Sequence, residues 1–304
     1  MVAIAHRPES QPAEQEQPDE LSRTWQDPTG IGGWIITVQN GPISNRYMLT
    51  AFVFFLVGGL QALLMRTQLA RPDNTLLGPQ TYNELFTMHG STMMFLFAVP
   101  FMEALANYLL PLLLGCRELP FPRMTAFGYW TYLWGALLFY SSFVLGLAPD
   151  GGWYAYVPLT GDVFSPSARI DFWLLGLSVA EVAAIGAGIE LTVAIMKFRA
   201  PGMSIGRMPI YAWAILVTGF MMLFGFTPLL VSTTLLELDR KHGTHFFNPD
   251  AGGDPLLWQH LFWTFGHPDV YIMFIPAAGI IAMIIPTFAR RPRRSSSPAA
   301  PVRP

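Results

Sequence analysis

The chain has 304 residues, of which 52% are hydrophobic and 12% charged, with a formal net charge of −2. A soluble domain carries about twice this share of charged residues, so the composition excludes an ordinary soluble protein. The single cysteine, Cys116, excludes an internal disulfide. We therefore expect an all-α, polytopic membrane protein surrounded by lipid, with no nucleic-acid partner.

The first 29 residues are rich in Pro, Glu and Gln and contain no apolar core. This composition excludes a signal peptide and predicts a disordered tail over residues 1–31. The following stretch, GGWIITVQNGPISNR, is expected to lie at the membrane surface, anchored by Trp34.

Apolar runs poor in charge then recur, each long enough at about 20 residues to cross a bilayer. Most of the 18 lysines and arginines fall in segments on the same side as the N-terminus, which places that side in the cytoplasm. We expect a transmembrane domain over residues 32–288. The predicted spans are Tyr47–Met65, Phe86–Leu114, Thr125–Leu147, Asp171–Met196, Pro209–Leu236 and Leu256–Phe288.

The last residues, 289–304, read ARRPRRSSSPAAPVRP. This segment is basic and rich in Pro and Ser, and it has no apolar period. Two interpretations remain open at this point. It is a disordered cytoplasmic tail, or the natural reading frame has been lost through a frameshift or truncation.

Ionisable side chains inside a membrane span cost about 2.5–3.5 kcal/mol each and need a reason. For any one of them the ordinary reason is an interhelical hydrogen bond or an interior water pocket. A carboxylate relay through a multi-pass transporter would also explain the carboxylates. The residues concerned are Glu103, Glu181, Glu190, Asp269, His89, His260 and His267.

The last span contains GHPDVY, in which His267 and Tyr271 are four residues apart and so share one helix face. Asp269 points about 200° away from His267, toward a different neighbour. Pro268 weakens the backbone ladder and favours a kink. His260 lies about 10 Å before His267, too far for one metal ion to bind both. The span therefore offers one histidine ligand with a phenol beside it.

The second span contains FTMHGSTMMFLFAVP, with His89 near its outer end. The small residues Gly90, Ser91 and Thr92 follow, and they allow a bulky group to lie against the helix. A histidine in this setting is a candidate axial ligand to a haem iron. A buried, hydrogen-bonded histidine is the alternative.

Together these stretches resemble the N-terminal half of subunit I of the haem–copper terminal oxidases, cytochrome c oxidase in particular. The resemblance runs from about Gly32 to Pro292. The motifs that carry it, in chain order, are FTMHGSTMMF, NYLLPLLLG, FPRM, RAPGM, GTHFFNP and QHLFWTFGHPDVY.

The resemblance implies a role for each matching residue. His89 falls on an axial ligand of the low-spin haem, and Arg66 on an arginine that packs against that haem. His267 falls on one of three copper histidines, and Tyr271 on the tyrosine cross-linked to it. Trp263 falls on an aromatic residue beside the copper.

The proton path departs from the family pattern. Asp269 stands where the main variant has Glu, and Glu118, eleven residues after Asn107, stands where the family has Asp at the cytoplasmic mouth. Ala183 and Ala184 replace channel serines, and Glu190 replaces an asparagine. Glu103 and Glu181 are not in the common pattern either. Proton pumping is therefore less secure than oxygen reduction.

The resemblance implies four-electron reduction of O₂ to water, coupled to proton uptake, in a bacterial cytoplasmic membrane. The complete enzyme holds a low-spin haem, a high-spin haem and copper. Its partners are oxidase subunits II and III and either cytochrome c or quinol as electron donor. This chain supplies one low-spin haem ligand and one copper ligand, so we expect it to be inactive alone. A transporter and a non-functional gene remnant are the alternatives.

Overall fold

The computed structural model describes residues 30–290, which are almost entirely helical and contain no β-strand. The predicted tails, 1–31 and 289–304, lie outside these residues except for two residues at each inner edge. The helices are α1 (Gly30–Ile36), α2 (Asn40–Gln68), α3 (Pro79–Ser91), a π-helical segment (Thr92–Ala98), α4 (Val99–Leu114), α5 (Pro122–Val144), α6 (Arg169–Lys197), α7 (Ile210–His242) and α8 (Pro255–Phe288).

The all-α, polytopic fold class is confirmed. Five helices of the described chain are long and apolar enough to cross a membrane, and one of them is the continuous Pro79–Leu114. The remaining predicted span, Thr125–Leu147, corresponds to α5, whose tyrosines, tryptophans, serines and threonines lower its hydropathy below that of the five. Its 23 residues still extend about 34 Å, so six remains an approximate count.

Consecutive long helices pack side by side, with the closest pairs being α5 with α6, α6 with α7 and α7 with α8. The helix α4 contacts α2, α6, α7 and α8, which makes it the central helix of the bundle. Polar residues of α4 are consequently buried rather than exposed to lipid. Glu103 is 6% exposed and Asn107 is 1% exposed.

Glycines allow α5 and α6 to approach closely. A Cβ atom added to Gly135 would lie 2.7 Å from both the backbone nitrogen of Ala180 and the carbonyl oxygen of Gly176. Real Cβ atoms do not approach backbone this closely, so a larger residue would separate the two helices. Such small-residue contacts are the usual means by which membrane helices pack.

A long loop, residues 145–168, covers one end of the bundle. The buried guanidinium of Arg240 in α7 holds this loop, donating hydrogen bonds to the carbonyl oxygens of Thr160 at 2.7 Å and Ser165 at 2.8 Å. Its Nε also donates to a carboxylate oxygen of Asp171 in α6 at 2.6 Å. One cation therefore ties two helices to the loop.

At the opposite end, α1 packs against the start of α2. The buried side chain of Arg46 donates a hydrogen bond to the carbonyl oxygen of Trp34 at 2.8 Å. Its guanidinium lies 5.0 Å from the Trp34 ring centroid and 4.8 Å from that of Tyr129 in α5. The short helix around Trp34 is thus tied to the bundle by one arginine.

Candidate functional site

The side chains of His267 and Tyr271 lie together on an exposed face of α8. Their ring centroids are 4.6 Å apart and the rings meet edge to face at 67°. Tyr271 is 41% exposed, and the neighbouring Phe274 and Val270 are exposed as well. The pair therefore lies at the outer surface of the described bundle, open to a further partner surface.

Local sequence explains how α8 presents this pair. The helix begins at Pro255, where the carboxylate of Asp254 accepts a hydrogen bond from the backbone nitrogen of Leu256 at 2.8 Å. Gly266 lies under the ring of Trp263, and a Cβ atom there would come within 2.4 Å of that ring. The glycine lets the indole lie along the helix directly before His267.

Asp269 occupies the opposite side of the same helix. It is fully buried, and neither of its carboxylate oxygens has a hydrogen-bond partner among the described residues. A buried carboxyl without a partner is costly in an apolar interior unless it carries a proton or meets water. Asp269 is thus a buried carboxyl group inside the bundle, whereas His267 faces outward.

His89 lies on α3 against α2. Its Nδ1 atom is 2.9 Å from the carbonyl oxygen of Gly58. A carbonyl oxygen only accepts, so this contact requires the proton on Nδ1 and leaves the lone pair of Nε2 available for a metal. The π-helical segment Thr92–Ala98 begins three residues later, and such segments occur often at functional sites.

The side chain that lies against Gly90 is Trp153 of the long loop. A Cβ atom on Gly90 would meet the Trp153 side chain at 2.9 Å. The loop is fixed there because the backbone nitrogen of Gly152 donates a hydrogen bond to the hydroxyl of Thr87 at 2.8 Å. The two other small residues face inward. Ser91 accepts a hydrogen bond from the Trp173 indole, and Thr92 bonds to the Tyr140 hydroxyl.

Trp153 also connects the His89 region to α8. Its ring lies edge-on to Trp263 at 5.8 Å and to Phe262 at 5.5 Å. The Trp263 indole in turn donates a hydrogen bond to the hydroxyl of Tyr156, also in the long loop. Neither Trp153 nor Tyr156 was predicted from the sequence, where the only signal is their aromatic spacing in GGWYAYVP between two spans.

Arg66 and Glu118 lie apart from these histidines. Arg66 is exposed in the last turn of α2, eight residues or about 12 Å beyond Gly58. Glu118 lies at the other end of the bundle, between α4 and α5, where its carboxylate accepts a hydrogen bond from the backbone nitrogen of Asn40 at 2.8 Å. Arg66 therefore lies near one end of the helix pair that carries His89, and Glu118 lies at the opposite end of the bundle.

The remaining span carboxylates are buried near α4. Glu190 accepts hydrogen bonds from the Thr125 hydroxyl at 2.8 Å and from the Phe121 backbone nitrogen at 3.1 Å. Glu181 is 2% exposed and both its carboxylate oxygens lack a partner among the described residues. None of these groups joins the histidines.

A complete metal centre is not formed by the described residues. They contain no group of three His, Cys, Asp or Glu side chains able to hold one metal ion. His260 is exposed and lies seven residues, or about two helical turns, before His267. His242 and His245 are exposed at the far end of α7. What the residues offer is one histidine with a free Nε2 at His89 and a separate histidine–tyrosine pair at His267.

Comparison with known proteins supplies the family context. The chain matches the family model described as Cytochrome C and Quinol oxidase polypeptide I over residues 42–300. It is 44% identical over 258 residues to cytochrome c oxidase subunit 1 of Bacillus subtilis (strain 168) and 44% identical over 266 residues to that of Bacillus sp. (strain PS3). It is 42% identical over 258 residues to quinol oxidase subunit 1 of Bacillus subtilis (strain 168).

These alignments cover 85%, 86% and 85% of this chain, respectively. They cover 41%, 43% and 40% of the relatives. The chain therefore spans less than half the length of the curated relatives it matches.

Proposed function

Because the chain belongs to the cytochrome c and quinol oxidase polypeptide I family, we propose that it forms the N-terminal half of the oxygen-reducing subunit of a bacterial respiratory oxidase. The family consists of membrane oxidoreductases that use haem and copper. The observation that carries the proposal is the His267–Tyr271 pair, with ring centroids 4.6 Å apart on an exposed helix face.

His89 would hold the low-spin haem. Its Nδ1 contact with the Gly58 carbonyl orients the ring and leaves Nε2 as the ligand atom. Arg66, exposed in the last turn of the neighbouring α2, is the cation we assign to the same haem.

His267 would hold the copper, with Trp263 packed beside it. Copper and haem, when bound, would pass electrons from cytochrome c or quinol to O₂. Tyr271 stands next to the ligand imidazole, and its phenol can give a proton to bound substrate. Its ring is close enough to that of His267 for the two to be cross-linked, as the family resemblance implies.

The other ligands of this centre come from residues beyond the described half. One histidine leaves a copper ion open on most sides, and a single axial ligand leaves a low-spin haem incomplete. We infer that a second half, in the same or another polypeptide, packs against the exposed face of α8. Until it does so, this chain does not reduce oxygen.

Proton supply follows from the placement of the carboxylates. With the N-terminus in the cytoplasm, Glu118 lies at the cytoplasmic mouth, between α4 and α5. Asp269 lies near the middle of α8, buried and without a partner among the described residues. We assign Glu118 to proton entry and Asp269 to proton delivery near the copper site, with subunits II and III and cytochrome c or quinol as partners.

The transporter alternative explains the buried carboxylates but not the histidine–tyrosine pair. The decisive test is to co-express this chain with the remaining part of the Bacillus subtilis cytochrome c oxidase subunit 1 and its partner subunits. Haem absorption, copper content and O₂ uptake with reduced cytochrome c or quinol are then measured in membranes. We expect both metals and activity, whereas substrate transport without haem would support the transporter.

Matched histidine variants separate ligands from bystanders in the same assay. We expect His267→Ala to lose copper and His89→Ala to lose the low-spin haem band. His260→Ala, on the same helix as His267 and exposed, should retain both metals. Equal copper loss in His267→Ala and His260→Ala would refute the assignment of His267.

A further inference from the structure

A small cavity of about 10 Å³ lies inside the bundle where α4, α5, α6 and α7 meet. Its polar side chains are Glu103 of α4, Glu181 of α6 and Tyr132 of α5, and no lysine or arginine lines it. Ala183 and Ala184 form part of its wall and contribute no polar side-chain atom. Two carboxyl groups from different helices therefore line the same small cavity.

The carboxyl group of Glu181 is buried without a protein partner among the described residues. It is 98% buried, since its exposed fraction is 2%, and both its oxygens lack a hydrogen-bond partner among the described residues. The hydroxyl of Tyr132 is already used, because it donates to the carbonyl oxygen of Leu96 at 2.6 Å. Two ionised carboxylates in such an apolar, cation-free space would be strongly unfavourable.

We propose that Glu103 and Glu181 form an internal proton-holding site, in which at least one of the two carboxyl groups keeps its proton and one water molecule in the cavity bonds to Glu181. The cavity volume is about that required for a single water. The water and the proton would satisfy the two Glu181 oxygens, which the described protein groups leave without partners. This site needs neither haem nor copper, so it stands apart from the proposed function.

The groups facing the pair come from every neighbouring helix. From α2, the Tyr47 hydroxyl lies within side-chain hydrogen-bonding reach of the Glu103 carboxyl. From α6, Glu190 is close enough to Glu103 for their charges to interact. On α8 the nearest carboxyl is Asp269, which does not line the cavity. No cation is available to neutralise the pair.

The carboxyl groups are staggered in depth. The Ala200 backbone nitrogen, just after α6, bonds to the Leu114 carbonyl at the end of α4, so these two helices end at the same level. Counting back from the helix ends at 1.5 Å per residue, Glu190 lies about 10 Å deep, Glu103 about 17 Å and Glu181 about 24 Å. Glu103 also borders a second cavity of about 10 Å³ facing α8. The proton-holding pair therefore occupies the deep end of a row of three carboxyls.

Infrared spectroscopy of the purified full chain in lipid nanodiscs tests the site without any enzymatic assay. Protonated carboxyl groups give a C=O band that ionised ones lack, and the band shifts in D₂O. The variants are Glu103→Gln, Glu181→Gln and the double variant, each in an Asp269→Asn background to remove that carboxyl. Glu84→Gln is the control, because Glu84 forms an ion pair with Arg169 and does not line the cavity.

We expect a protonated-carboxyl component at neutral pH that is shifted by each single Gln variant, lost in the double variant and unchanged in Glu84→Gln. An unchanged component in the double variant would overturn the proposal. So would a shift when sodium replaces choline, because the cavity would then bind a metal cation. Circular dichroism identifies any misfolded variant, for which Glu181→Asp is measured instead and should shift the same component.

Discussion

The imidazole of His267 and the phenol of Tyr271 meet edge to face, one helical turn apart, with ring centroids separated by 4.6 Å. The i,i+4 spacing brings the two side chains together on one face, and exposure leaves both rings accessible from outside the described bundle. The pair is therefore preformed by α8 alone, before any second half packs against it.

Tyr271→Phe should keep the copper but slow oxygen reduction in the complemented enzyme, by about 100-fold or more if the phenol acts as a proton donor. Removing the hydroxyl leaves the His267 ligand and the ring packing in place. Copper content and O₂ uptake measured on the same preparation check this. Tyr82→Phe, near the start of α3, is the matched control and should leave copper content and O₂ uptake unchanged. Normal turnover in Tyr271→Phe would show that the phenol has no chemical role.

Asp269→Asn should reduce turnover by about 100-fold or more, because the amide keeps the shape of the side chain but cannot carry a transferable proton. Stability should not fall, since the carboxylate makes no ion pair or hydrogen bond among the described residues. O₂ uptake and proton release in reconstituted vesicles are the measurements. Asp250→Asn, exposed in a loop, serves as the control. Unchanged uptake and release would remove Asp269 from the path.

Asp171→Asn should destabilise the bundle by about 3–5 kcal/mol, because it leaves the buried Arg240 guanidinium without its carboxylate. Arg240 would still hold the carbonyl oxygens of the long loop, so local loosening at that end should precede global unfolding. Unfolding in mixed detergent, followed by circular dichroism, gives the stability. Asp162→Asn, exposed in the same loop, should leave it unchanged, and an equal effect of both variants would contradict the argument.

Arg46→Lys should cost about 2 kcal/mol although the charge is kept. The planar guanidinium lies between the rings of Trp34 and Tyr129, and an ammonium group cannot reproduce that stacking. Detergent unfolding midpoints measure the change, with Arg123→Lys at an exposed position as control. A midpoint equal to that of the unmodified chain would mean that charge alone holds α1 to the bundle.

Cys116 should react slowly with alkylating reagents at neutral pH. Partial burial raises the pKa of its thiol above the usual value, and the nearby Glu118 carboxylate raises the pKa further. A raised thiol pKa means less thiolate at a given pH, so the labelling rate should climb only in more alkaline solution. Labelling can be followed by mass spectrometry, because this is the sole cysteine.

Glu118→Gln should lower the thiol pKa and speed labelling of Cys116 near neutral pH, whereas Glu84→Gln at the other end should not. If Glu118→Gln leaves the pH profile where it was, then that carboxylate does not lie close enough to act on the thiol.

Sequence hydropathy predicted the helices well but not where each begins and ends. The span predicted as Tyr47–Met65 belongs to a helix that begins at Asn40, and the span ending at Leu236 continues to His242. Hydropathy falls where polar residues enter, whereas backbone hydrogen bonds continue through them. Arg240 shows the reason, because it extends α7 beyond the apolar run by binding a loop and a neighbouring helix.

The site was predictable only in its local parts. Spacing along one helix gave the shared face of His267 and Tyr271 and the opposite direction of Asp269. Spacing along one helix could not predict the cavity that Glu103 and Glu181 both line, because the two residues are 78 positions apart in sequence and lie on different helices. Nor could it give Trp153, whose role depends on the path of the long loop between Gly90 and Trp263.

The π-helical segment Thr92–Ala98 sets the direction in which all later side chains of the continuous helix Pro79–Leu114 point. A π-helical turn takes up more residues than an α-helical turn, and one residue corresponds to about 100° of rotation. His89, before the segment, contacts Gly58 of α2, and Glu103, after it, lines the cavity beside α6. Deleting one residue from this segment would restore a uniform pitch and swing the Glu103 carboxyl out of that cavity. The seven residues therefore act as a rotational spacer that lets one continuous helix address two different partners.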